Sequence, residues 1–93
     1  MPSRPPIPVE LEAEIRRWVR DEVSRRLVDY PNGIFSVAPL ARRAYDRFYR
    51  RSNTVTRHRM YRIVDEVLSR DFEFQLWNLP PSKRKYVPPQ APL

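Results

Sequence analysis

The sequence predicts a mainly α-helical α+β domain, with three helices and a small sheet of two or three strands. Apolar residues recur with helical spacing in three separate stretches, and a short segment near the C-terminus alternates apolar and polar residues as a strand does. Prolines are concentrated at the two ends of the 93-residue chain, which is long enough for one modest core. We therefore expect one folded unit over residues 9–87, an extended or disordered Pro-rich tail over 1–8 and a second Pro-rich tail over 88–93.

The first helix is predicted over residues 9–29, because apolar residues recur there at every fourth position. This stripe is Leu11, Ile15, Val19, Val23 and Leu27, and Trp18 widens it. Glutamates at the start of this segment and arginines near its end suit the helix dipole. The sequence Tyr-Pro-Asn-Gly at 30–33 ends the helix, and we expect Gly33 to take a positive φ in a tight turn.

A short β-like stretch at 34–37 precedes the second helix, which we expect to begin with Pro39 in its first turn and to end near residue 50. Its apolar face is expected to join the core, and it consists of Leu40, Ala41, Ala44, Tyr45, Phe48 and Tyr49.

The third helix has the clearest start signal, and it is predicted over residues 57–70. Thr56 is a good N-cap, and Val55 and Met60 have the spacing of a hydrophobic staple. A regular apolar stripe follows from Met60 through Ile63, Val64, Val67 and Leu68.

A strand is then predicted over residues 72–77, with Phe72, Phe74 and Leu76 on the core side and Trp77 facing away. Residues 78–82 form a loop that contains two prolines, and residues 83–87 return as a second strand.

The composition excludes most enzyme classes. Without cysteine and with a single histidine, the chain has no thiol chemistry and no histidine cluster for a metal. A single glycine excludes the Gly-rich loops that bind dinucleotides and nucleoside triphosphates. We therefore expect no enzyme and no cofactor. No apolar run approaches the ~18 residues of a membrane span and the N-terminus lacks a signal sequence, so we expect a cytoplasmic protein.

Positive charge is concentrated in the middle of the chain. The net charge is +7, and residues 36–62 alone hold eight arginines against the single acid Asp46. A second basic cluster, Lys83, Arg84 and Lys85, lies near the C-terminus. Such asymmetry is typical of a surface that binds a polyanion, above all a nucleic acid. Sixteen of the 18 basic residues are arginine, which is compatible with a GC-rich genome, a thermophile or a virus.

The order of elements resembles the winged helix-turn-helix superfamily over residues 9–87. The resemblance is carried by residues 35–45, by the start of the third helix at 56–64 and by the hairpin of 72–87, which looks like the wing. The turn at 50–55 departs from it, because it lacks the glycine that many members have there. The resemblance implies that the third helix enters the major groove of DNA and that the wing reaches flanking DNA.

The resemblance also implies three groups of contact residues. The third helix would face the bases or the nearest phosphates with Thr56, Arg57, His58, Arg59, Tyr61 and Arg62. The backbone contacts would come from Arg42, Arg43, Arg47, Arg50 and Arg51. The wing would contribute Lys83, Arg84 and Lys85.

Several functions are compatible with this sequence. The first is a small transcriptional regulator that binds double-stranded DNA, bound to the nucleoid or, if viral, acting in host cytoplasm. The second is an RNA-binding or ribonucleoprotein component with the same fold, and the third is a winged-helix module that binds a protein. A homodimer through the first helix is also expected, because many helix-turn-helix proteins bind two half-sites.

Overall fold

The computed structural model describes residues 5–77 and 85–88, and it confirms the predicted α+β class. Three helices and a three-stranded antiparallel sheet enclose one core. In chain order the elements are α1 (Val9–Asp29), β1 (Phe35–Ser36), α2 (Val37–Phe48), α3 (Arg57–Glu66), a π-helical turn (Val67–Asp71), β2 (Gln75–Trp77) and β3 (Lys85–Val87). None of the helices in the described ranges is both long and apolar enough to cross a membrane.

Helix α1 has the predicted bounds, and its apolar stripe is buried. Leu11, Ile15, Val19 and Val23 belong to the core, whereas Leu27 is only half-buried against it. The stripe that suggested a dimer interface is therefore covered by the chain's own residues.

The core reaches further towards the N-terminus than residue 9, where the folded unit was expected to begin. Ile7 is buried in the core, and the carbonyl oxygen of Pro8 accepts the N–H of Glu12 at 2.9 Å. An apolar side chain next to the first turn of α1 can pack under it even where the backbone is extended.

The turn after α1 forms as predicted, but Gly33 is needed there for a different reason. The Gly33 N–H donates to the carbonyl oxygen of Tyr30 at 3.0 Å, and the φ of Gly33 is not positive. A Cβ at this position would lie 3.2 Å from both the Cβ and the carbonyl oxygen of Tyr30. Glycine therefore permits a close approach rather than a left-handed backbone.

Helix α2 begins at Val37 and ends at Phe48, two residues before the expected end near residue 50. Pro39 lies in the first turn as predicted, where its missing N–H costs nothing. The expected core residues Leu40, Ala41, Ala44 and Phe48 are buried. Tyr45 is half-buried and Tyr49 is 39% exposed, so the prediction that Tyr49 belongs to the core is wrong.

Helix α3 begins as predicted, with the Thr56 hydroxyl accepting the N–H of Arg59 at 3.2 Å. Val55 and Met60, the pair expected to form a staple, are both buried. The regular α-helix ends at Glu66, and the remaining predicted turn is a π-helix in which the Phe72 N–H donates to the carbonyl oxygen of Val67 at 3.1 Å.

The chain reverses direction after the π-turn at Glu73, whose φ of 55° lies in the left-handed region. This conformation lets the N–H of Phe74 donate to the carbonyl oxygen of Leu68 at 2.9 Å. It also delays the strand expected from residue 72, because a left-handed residue cannot continue an extended ladder. Strand β2 starts only at Gln75.

The sheet has the order β1-β3-β2, with both pairs antiparallel. Phe35, Tyr86 and Leu76 stand opposite one another, so their side chains share one face. Phe35 and Tyr86 are buried, but Leu76 is 51% exposed, and the prediction that it lies in the core is wrong. Phe35, on the other edge strand, packs against the Phe74 ring with centroids 5.3 Å apart, whereas Leu76 lies outside this core cluster.

Two predicted features of this region lie beyond what the structure describes. They are the orientation of the Trp77 side chain and the loop at 78–82. The strand predicted over 83–87 is seen from Lys85 to Val87, and of the predicted 88–93 tail only residue 88 is described.

Candidate nucleic-acid interface

The outward face of α3 carries an exposed basic stripe. Met60, Ile63 and Val64 fix the inner side of the helix. Arg57, His58 and Arg62 are exposed, as the sequence predicted, whereas Arg59 and Tyr61 are half-buried.

Both carboxylates of α3 are engaged by partners outside the helix. Asp65 accepts the hydroxyl of the buried Tyr86 at 2.6 Å, which ties the helix to the sheet. Glu66 pairs with Arg16 of α1 at 2.7 Å. The acids that follow the basic stripe along α3 therefore hold the helix in place, and one of them is already neutralised by a cation.

Arg59 and Thr56 serve the local fold at the start of α3. The Arg59 guanidinium donates to the carbonyl oxygen of Thr54 at 3.0 Å, and its backbone N–H is held by Thr56. Together they stabilise the glycine-free turn at 50–55. Arg59 also lines a shallow groove with Arg62 and Glu66.

The arginines of the second helix divide into two groups, which the sequence did not distinguish. Arg43 and Arg47 lie towards α1, with their guanidinium carbons 5.8 and 6.0 Å from the centre of the Trp18 ring. Arg43 also pairs with the nearly buried Glu22 at 2.9 Å. These two predicted phosphate contacts are therefore engaged with α1.

Arg51, in the following turn, is likewise engaged with α1. Its guanidinium binds both carboxylate oxygens of Glu14, at 3.1 and 2.9 Å. The hydrogen bonds from Arg51 lower the pKa of Glu14 below its ordinary value, and the same bonds raise the pKa of Arg51.

The other α2 arginine is Arg42, and outside α2 Arg50 and Arg57 form a separate cluster with Tyr49 and Tyr45. Arg42 is exposed and makes no ion pair with any residue in the described ranges. The guanidinium carbon of Arg57 lies 5.3 Å from the ring centre of Tyr45, and the Arg50 Nε donates to the Tyr49 hydroxyl at 2.8 Å.

The two tyrosines of this cluster were missed as functional candidates because they were assigned to the core. Their rings stack with centroids 5.3 Å apart and an interplanar angle of 20°. A signal was present in the sequence, since Tyr49 follows the buried Phe48 and is rotated about 100° from it around the helix.

The wing cluster is described only in part. Lys85 is half-buried in β3, next to Tyr86, whose side chain faces α3. Alternation along the strand puts Lys85 on the other face of the sheet, so it does not extend the surface of α3. Lys83 and Arg84 lie outside the described residues.

Comparisons with models of protein families, with curated proteins and with solved structures found no match to this chain. The layout of three helices and a small sheet is consistent with a winged helix, which remains a resemblance. Within residues 5–77 and 85–88, no three histidine, cysteine, aspartate or glutamate side chains come together as a metal site would require.

Proposed function

We propose that this protein binds double-stranded DNA, with α3 in the major groove, and acts as a small transcriptional regulator. One observation carries the proposal. Arg57, His58 and Arg62 are exposed on one helix, while both carboxylates of that helix are bound by Tyr86 and Arg16. A helical face with exposed guanidiniums and engaged acids has the charge that phosphate-lined grooves attract.

The dimensions and chemistry of α3 support the same proposal. A ten-residue helix is about 15 Å long, and its diameter of about 10–12 Å matches the width of the major groove. Arg57 and Arg62 can each donate two hydrogen bonds to a guanine edge. Arg42, on the neighbouring helix, is the α2 arginine available for a phosphate, because Arg43 and Arg47 lie against Trp18.

The test is a fluorescence-anisotropy titration with random-sequence duplex DNA between about 50 and 200 mM salt. Because bound phosphates release counterions, we expect the logarithm of the affinity to fall linearly with the logarithm of the salt concentration. A response that is flat with salt would refute the proposal.

A pair of variants locates the surface. Arg62→Ala should change the sequence preference recovered by selection from a random pool, and it should cost about 1–3 kcal/mol at the preferred sites. Arg26→Ala is the matched control, because Arg26 is exposed near the end of α1 and has no ion pair among the described residues. Equal losses from both variants would mean that net charge alone drives binding.

RNA and protein partners are distinguished by the same assay. Competition by structured RNA at lower concentrations than duplex DNA would assign the surface to RNA. Absence of any nucleic-acid binding at low salt would refute both nucleic-acid proposals and favour an acidic protein as the partner.

A further inference from the structure

We propose that Tyr45 and Tyr49 form a stacking site for one unpaired nucleobase, next to the face of α3. The inference rests on the proposed nucleic-acid partner, but it adds a site that a helix reading an intact duplex does not require. It predicts a preference for DNA or RNA with an unpaired base at a tail, bulge or loop.

The stack has an anchored inner ring and an accessible outer ring. Tyr45 is half-buried against the core, and Tyr49, which is 39% exposed, lies parallel to it within 20°. Exposing a tyrosine ring costs hydrophobic free energy unless a partner covers it. A nucleobase is a flat π-system that could extend the stack by one layer.

Arg50 contacts both the hydroxyl and the ring of Tyr49. Its Nε donates to the Tyr49 hydroxyl at 2.8 Å, and its guanidinium carbon is 5.4 Å from the ring centre. The guanidinium therefore lies over the Tyr49 ring as a cation–π contact. Because Arg50 is itself exposed, a nucleobase can displace its guanidinium from the ring.

The charges around the stack fit a nucleotide better than an apolar partner. Arg57 lies against Tyr45 and Arg50 against Tyr49, so each ring has an adjacent guanidinium. Both guanidiniums keep donors for phosphate oxygens, because neither pairs with a carboxylate among residues 5–77 and 85–88. Aromatic rings with flanking cations are the combination that binds single-stranded nucleic acids.

The experiment compares two probes with identical charge. Both are duplexes with a short single-stranded tail, which carries thymine bases in one probe and only abasic sugar-phosphate units in the other. Stacking of a base on an aromatic side chain is strong enough that we expect about tenfold tighter binding of the thymine tail. Tyr49→Ala should abolish this ratio and Tyr49→Phe should retain it. Tyr30→Ala, which removes an exposed tyrosine elsewhere, should leave the ratio unchanged.

The outcomes separate this inference from the proposed duplex binding. Equal affinity of the wild type for the two tails, or a ratio that survives Tyr49→Ala, would overturn the stacking site even if blunt duplex binds. Binding of the thymine tail without binding of blunt duplex would support the stacking site and overturn the duplex proposal. Should Tyr49→Ala unfold, Tyr49→Leu would replace it, because leucine keeps an apolar contact with Tyr45 but has no aromatic face.

Discussion

Arg42 and Arg43 are adjacent arginines on one helix, and the structure predicts opposite consequences when each is changed to alanine. Arg43 joins α2 to α1 through Glu22 and Trp18, whereas Arg42 is exposed and unpaired among the described residues. We expect Arg43→Ala to lower the free energy of unfolding and to leave DNA affinity close to that of the wild type. Arg42→Ala should leave the free energy of unfolding close to that of the wild type and lower the DNA affinity.

The magnitude for Arg43→Ala follows from the exposure of the two partners. Arg43 is 49% exposed, so solvent screens its charge and the ion pair itself contributes no more than about 1 kcal/mol. Glu22 is only 11% exposed. In the Arg43→Ala variant its remaining ion-pair partner among the described residues would be Arg25, which lies at 3.2 Å and is largely in solvent. Leaving this carboxylate poorly paired adds about 1 kcal/mol, and the lost contact with Trp18 adds about 0.5 kcal/mol. The expected total is about 2 kcal/mol, or a Tm lower by roughly 8–16 °C.

The assay is urea unfolding followed by circular dichroism, with the same m-value required for each variant. Arg42→Ala should change the free energy of unfolding by less than about 0.5 kcal/mol. Glu22→Gln combined with Arg43→Ala should cost less than the sum of the two single changes, because the two residues share one interaction. The reasoning would be refuted if Arg43→Ala were as stable as Arg42→Ala, or if the two changes at 22 and 43 were additive.

Three further predictions concern single interactions. Arg51→Gln should raise the pKa of the Glu14 carboxyl towards its ordinary value in an NMR titration, since the bonds from Arg51 lower that pKa. A carboxyl whose pKa is lower in the folded than in the unfolded state stabilises the protein at pH values above the unfolded-state pKa, and this effect is lost as pH falls through the folded-state pKa. Wild type and Arg51→Gln should therefore differ in stability at neutral pH and converge in acid. The same difference in stability at both pH values would contradict this prediction. Glu73→Gly should raise the free energy of unfolding by about 0.5–1 kcal/mol, because glycine tolerates the positive φ. The control Glu73→Ala should not stabilise, and an equal gain there would point to charge instead. Thr56→Ala should cost about 1 kcal/mol in thermal unfolding through loss of the cap on the Arg59 N–H, and Thr56→Ser should recover most of it; a Ser variant as unstable as the Ala variant would argue against the cap.

Elements whose structure depends on local sequence were predicted well. The bounds of α1, the N-cap of α3 and the turn before β1 follow from periodicity, capping chemistry and turn residues that lie close together in the chain. The predictions of a positive φ at Gly33 and of core positions for Tyr49 and Leu76 were wrong. At Gly33 the turn was right and only its backbone conformation differed, whereas at Tyr49 and Leu76 the local pattern assumed burial that the packing did not supply.

The candidate site was likewise predicted in part from the sequence. Segmental charge in the sequence located the basic region, and the apolar stripe of α3 identified Arg57, His58 and Arg62 as outward residues. It could not separate Arg42 from Arg43 or Arg51, because all are arginines in the same short stretch. Their partners Glu14 and Glu22 lie 37 and 21 residues away in the chain.

Patterns in the sequence were enough to predict the class of fold, the order of its elements and the positive charge of the surface that α3 presents. Helical periodicity and net charge depend only on which residues follow one another, and they need no knowledge of packing. The tertiary structure alone decided which arginines are engaged with α1, which acids of α3 are bound and which tyrosines form an exposed stack. Ion pairs and ring contacts form between side chains that the fold brings together, and their partners are set by how the helices pack.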